Sequence, residues 1–143
     1  MRAALLLAAA AAAAAIGIAG AALAQDVAVK AIMAVHVNPG AVDFWAGGND
    51  PPENETAAAA DARWIAALKG AQTLQAKGRE LAEPAHARPG RWTEFARLMI
   101  DTGAEGEAAA KARRAEKAFE IGGRLYDACN GCHKTYIPTP RLP

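Results

Sequence analysis

From Asp26 onward, apolar positions recur at intervals of three and four residues, the spacing of a helix that buries one face. Glycine and proline punctuation cuts this pattern into four segments. The first runs from about Asp26 to Ala46 and stops at Gly47-Gly48. Within it, Asn38-Pro39 reads as a helix cap followed by a first helical position, so a kink or restart is expected there. The polar stretch Asn49 to Glu55 holds two prolines and reads as a loop. Thr56 is then a plausible N-cap for a second helix from about Ala57 to Ala82, with Trp64, Leu68, Ala71, Leu74 and Leu81 on its apolar face. It ends before Pro84, and Pro89-Gly90 marks the turn into a third helix that opens near Arg91 and buries Trp92, Phe95, Leu98 and Met99.

The boundary between the third and fourth segments is less sharp. Gly103 and Gly106 are natural stop signals, yet Glu107 to Lys117 strongly favours helix and contains no other breaker. Ala115, Phe119, Gly122, Tyr126, Cys129, His133 and Tyr136 step by four and three along one face. A fourth helix is therefore expected from near Arg113 to near Lys134, with Pro138 and Pro140 closing the chain. Gly122-Gly123 inside it costs about 1 kcal/mol per glycine relative to alanine. Such a pair reads first as a point of close helix approach, with room for a bound group as the alternative. Trp64 and Trp92 fall on core stripes, and Phe44 and Trp45 read as core at the far end of the first helix.

Four amphipathic helices joined by short loops predict an all-α fold, an antiparallel up-down-up-down four-helix bundle. In that topology the first turns of helix one lie beside the last turns of helix four. Residues pointing inward from Val29 to Val37 then face whatever the end of helix four carries.

The N-terminal stretch changes the picture of where such a bundle resides. Met1-Arg2 precedes an almost unbroken apolar run from Ala3 to Ala19, and Ala22-Leu23-Ala24 forms an A-x-A site before Gln25. This is the plan of a secretory signal peptide over 1–24, and the alanine-rich run argues against its retention as a membrane anchor. Residues 25–143 are then expected to form one domain, exported to a periplasm or an equivalent compartment and not membrane-bound after cleavage. The chain has 16 basic and 15 acidic residues. Arg2 is the one basic residue lost with the signal, which leaves a near-neutral polypeptide. Basic side chains are interleaved with acidic ones, so no nucleic-acid partner is indicated. Lys111, Arg113, Arg114 and Lys117 read as a solvated helix face.

The candidate chemistry lies in Cys129-Asn130-Gly131-Cys132-His133, which contains both cysteines of the chain. Two thiols three residues apart with an imidazole next to them is the pattern of covalent haem attachment. On a helix the two sulfurs share a face and reach the vinyl groups of one porphyrin edge, while His133 is carried to the iron as proximal ligand. Structural zinc, a thioredoxin-like dithiol and a plain disulfide are the competing readings. Zinc usually takes four Cys or His ligands, and His36 and His86 stand apart in sequence. A redox dithiol expects the opposite end of a helix and a strand before it. A disulfide, though common in exported proteins, leaves the histidine unexplained. No paired acid and base beside a nucleophile is present, so no enzyme is predicted.

A C-terminal Cys-x-x-Cys-His, Tyr136 three residues after the histidine and four preceding helical segments together resemble the class II cytochromes c, which include cytochrome c prime and the low-spin cytochrome c-556 type. The resemblance spans residues 25–143, and its specific part is the haem pentad. It implies one covalently attached haem c per chain, one-electron transfer between redox partner proteins, and frequent homodimers. In that family a methionine, or a non-ligating apolar residue, sits early in helix one on the far side of the iron. Met33 in Ala31-Ile32-Met33 matches the methionine version and is implied as the second axial ligand. Two features depart from the pattern. Ile137 stands where the family commonly has a basic residue, and His36, one turn after Met33, offers an alternative ligand. The two lie about 4.5 Å apart along a helix axis, so one excludes the other. Met33 ligation would give an electron carrier, whereas an open distal site would give a five-coordinate protein that binds NO or CO. Tyr136, on the same face as His133, is expected against the porphyrin or in the adjacent core. His86, in a proline-flanked loop, reads as a surface residue.

Overall fold

The computed structural model describes residues 24–137 of the chain and is all-helical, with no strand among them. The signal-peptide reading falls, apart from Ala24, outside the described residues, as does the closing role assigned to Pro138 and Pro140. No helix among the described residues is long and apolar enough to cross a membrane.

Helix α1 occupies residues 24–48 and changes its winding part-way. A π-helical turn at Met33–Val37 precedes an α-helical run, Asn38–Gly48, in which proline stands in the first turn. The Asn38 N–H donates to the carbonyl of Met33, five residues back. The expected disturbance near Pro39 is thus a π turn rather than a break. Proline lacks an N–H and its ring presses on the carbonyl four residues earlier, and widening the preceding turn relieves both problems while the helix continues.

Helix α2, Ala57–Ala82, has the bounds read from the sequence. Its cap is the Thr56 hydroxyl, which accepts from the Ala59 N–H at 3.2 Å. Arg63 clasps Glu55 with two bonds of 2.7 and 2.9 Å and donates to the Ala46 carbonyl at 3.1 Å, so one guanidinium ties the α1–α2 loop to the end of α1.

Helix α3 is Trp92–Lys111, and it runs straight through Gly103 and Gly106, the two stop signals that left its end open. A Cβ on Gly103 would lie 2.8 Å from the Gln75 side chain, and one on Gly106 would lie 2.7 Å from the Phe44 ring. These glycines admit neighbouring helices. The chain breaks at Ala112 to Arg114, near the expected start of the fourth helix, where Arg113 takes φ +51° without being glycine. Leu98, expected inside, is 40% exposed.

Helix α4 is Ala115–Tyr136. Its buried stripe is Ala118, Ile121, Gly122, Leu125 and Ala128, rotated from the face that the sequence singled out. Phe119 and Tyr126 are 67% and 58% exposed, and His133 is exposed too. Ile121 and Leu125 fill the core from this stripe, while Phe119 and Tyr126, each one position past a buried residue, turn outward.

Each helix packs on its sequence neighbours, and α1 also packs on α4. Phe44, Leu74, Ile121 and Leu125 are the largest fully buried side chains, drawn from α1, α2 and α4. Helices α1 and α2 meet backbone to backbone, since a Cβ on Gly70 would stand 2.3 Å from the Gly40 carbonyl oxygen. Further along the same pair, Gly47 lies against Ala67 and Trp64. Gly78 lies against Ala96 and Ile100, while Gly131 lies against Phe95. These contacts give a four-helix arrangement compatible with a bundle.

Candidate functional site

Near the end of α4 the small core residues give way to a cavity of about 360 Å³, within the ~300–1,000 Å³ range of cofactor sites. Three helices supply most of its wall. Helix α1 contributes Met33, Val37, Ala41 and Trp45, α3 contributes Trp92, Phe95, Ala96 and Met99, and α4 contributes Tyr126, Cys129, Asn130, Cys132 and His133. Asn38 of α1, Leu81 of α2 and Ala128 of α4 complete the lining. The surface is apolar apart from two asparagines, the thiols, the indole and phenol groups and one imidazole.

Both cysteines are free and half-buried. Burial pushes the Cys129 thiol above its ordinary pKa. Burial does the same for Cys132, Cys129 adds to the rise, and the Arg88 guanidinium opposes it. A nucleophilic dithiol depends on a lowered pKa, so these surroundings suit sulfurs that are held in apolar contact rather than sulfurs that attack. Their place at residues 129–132 of a helix ending at Tyr136 denies them the positive end of its dipole.

Met33 is half-buried and on the cavity wall, whereas His36 is exposed and not among the lining residues. Both belong to the π turn. More residues per turn separate positions three apart more widely around the axis than in an α-helix. The imidazole of His36 instead lies on the side of Glu80, whose carboxyl it helps to hold below the ordinary range after the dominant Lys77 hydrogen bond.

Tyr136 is half-buried and lies outside the lining. Its hydroxyl donates to the Pro89 carbonyl at 2.6 Å, and its ring meets Trp92 edge to face at 5.1 Å. Trp92 in turn donates its indole N–H to the Leu81 carbonyl at 2.6 Å. This chain of contacts fastens the α2–α3 loop to the end of α4 beside the cavity.

Trp45 departs from its expected place. It is half-buried on the cavity wall, with its indole against Gly122, rather than in the core at the far end of α1. The cavity extends along α1 from Met33 to Trp45, a span of about 18 Å. Phe95 and Met99 were legible as buried, but nothing in their spacing marked them as cavity residues. His86 is half-buried, not a surface residue, and its Nδ1 makes no hydrogen bond among the described residues.

No group of three or more His, Cys, Asp or Glu side chains among the described residues is arranged to hold a metal ion. A haem needs no such group, since two thioether bonds and one or two axial ligands suffice. The donor set fits it: two sulfurs, an imidazole and a methionine border one apolar cavity, with aromatic side chains on three helices. No family model, curated protein or solved structure matches this chain.

Proposed function

We propose that the chain is a monohaem c-type cytochrome, an exported one-electron carrier whose haem c is attached through Cys129 and Cys132 and ligated by His133 and Met33. The observation that carries this reading is the sharing of one apolar cavity by Met33, both cysteines and His133. The haem would supply the redox chemistry. Cys129 and Cys132 would fix its edge, His133 would donate a ring nitrogen, and Met33 would donate its thioether and exclude exogenous ligands. Trp92, Phe95 and Met99 would keep water from the porphyrin faces. The resemblance to class II cytochromes c supports the same assignment and adds redox proteins as partners.

An antiparallel up-down-up-down topology belongs to this reading. It is supported by the order of helix contacts: Gly40 and Gly47 meet α2 near Thr73 and Ala67, Gly78 and Gly103 meet α3 near Ile100 and α2 near Gln75, and Gly48 and Trp45 meet α4 at Phe119 and Gly122. Periplasmic residence rests on the signal-peptide pattern of residues 1–24.

Absorption spectra of the matured protein, oxidised and reduced, with and without CO, test the proposal. A low-spin haem spectrum unmoved by CO, with a near-infrared band lost in Met33→Ala, is the expected result. A protein without haem bands would overturn the reading. A high-spin spectrum shifted by CO would replace the electron carrier with a gas-binding protein.

A further inference from the structure

Two buried side-chain atoms among the described residues make no hydrogen bond, and both belong to the α2–α3 loop: Nδ1 of His86 and Nε of Arg88. Arg88 lies at the margin of the cavity. Its guanidinium stands 4.9 Å from the centroid of the Trp92 ring, and its charge is felt at Cys132. Both of those residues line the cavity, whose lining includes no lysine or arginine. One arm of Arg88 is occupied, with Nη2 on the Asp26 carboxylate at 2.7 Å.

A guanidinium N–H shut away from water without an acceptor is unfavourable, and its best complement is a carboxylate. Arg91 provides the contrast. It also stacks on a lining residue, Phe95, at 4.9 Å, but Glu94 takes its Nε and Nη2 at 2.7 and 2.5 Å. Among the described residues Arg91 is satisfied and Arg88 is not.

We propose that Arg88 receives a carboxylate of the porphyrin bound in the cavity, with Asp26 holding the guanidinium in place. This rests on the haem reading. A porphyrin that fills an apolar cavity still carries two propionates. These need water or a cation at the rim, and the Arg88 guanidinium, stacked on Trp92 of the cavity wall, is the cation beside it.

The test uses the full chain carrying Cys129→Ala and Cys132→Ala, so that added porphyrin binds reversibly. Haemin and haemin dimethyl ester are titrated in parallel, with quenching of tryptophan fluorescence as the readout. The free acid should bind about tenfold or more tighter than the ester, the effect of one charge-assisted hydrogen bond. Arg88→Gln should reduce the acid's affinity to that of the ester and leave the ester's unchanged. Arg88→Lys, a point charge without the planar fork, should fall between. Arg91→Gln should keep the preference, and Asp26→Asn, which loosens the guanidinium but leaves its charge, should weaken the preference without abolishing it. Equal affinities in the parent, or a preference that survives Arg88→Gln, would overturn the proposal and leave Arg88 as a tether only. If neither porphyrin binds the parent, the haem reading itself falls, and the role of Arg88 with it.

Discussion

The indole N–H of Trp45 donates to the carbonyl of Gly122 at 3.0 Å, joining α1 to α4 beside the cavity. A Cβ at Gly122 would stand 2.7 Å from Trp45 Cδ1, whereas one at Gly123 would meet nothing within 4 Å. The two glycines therefore respond oppositely to the same change. Gly122→Ala should lower stability by about 1–3 kcal/mol through overpacking. Gly123→Ala should raise it by up to about 1 kcal/mol through helix propensity. Urea unfolding of both variants checks this, and equal effects would contradict the placement of Trp45.

Met33 and Met99 both border the cavity, one half-buried on α1 and one buried on α3. Under the proposed ligation they differ in kind. Met33→Ala should remove low-spin character and admit CO. Met99→Ala should cost about 2–5 kcal/mol of stability, as a buried truncation does, and leave the spin state unchanged. Spectra and thermal melts of the two variants separate the roles, and an exchanged pattern would move the ligand to α3.

The Trp92 indole, buried and bonded to the Leu81 carbonyl at 2.6 Å, joins the start of α3 to the end of α2. Trp92→Phe retains most of the ring but leaves that carbonyl without its partner. A loss of about 1–3 kcal/mol is expected by chemical denaturation. Stability equal to that of the parent would show that the bond contributes nothing net.

Glu107 links α3 to α2. Hydrogen bonds from Lys111, Gln72 and Gln75 hold its carboxyl at about 2, down from the ordinary 4.5. As pH falls below 4.5 the unfolded chain binds this proton first. The stabilisation is thus present above about 4.5 and is lost as pH falls toward about 2. Glu107→Gln should lose less stability across that window than the parent, while the other depressed carboxylates, such as Glu55 and Glu105, act alike in both. Thermal melts at pH 6 and pH 2.5 compare them, and parallel declines would show that Glu107 is not involved.

Much of this organisation was readable one segment at a time. Thr56 followed by an apolar period of three and four specified α2 to the residue, because a cap and its helix are decided by neighbours in sequence. The Cys129-x-x-Cys132-His133 spacing placed two sulfurs and an imidazole on adjacent positions of α4 for the same reason. Where local signals conflicted with packing, they did not decide. Gly103 and Gly106 left the end of α3 open as stop signals, while their role is to admit α2 and the Phe44 ring. The break falls at Arg113, near the start that the three-and-four spacing of the last segment had set for the fourth helix.

By itself, then, the sequence determined which stretches are helical and how the thiols and His133 are spaced, since these depend on contacts within a turn or two. Only the tertiary structure decided which face of α4 is buried, that Met33 rather than His36 borders the cavity, and that Trp45 and Met99 share its wall. It also brought Arg88 to the margin of that cavity. Each of these depends on how closely helices far apart in the chain approach one another, and that distance is set by the small residues of both partners together.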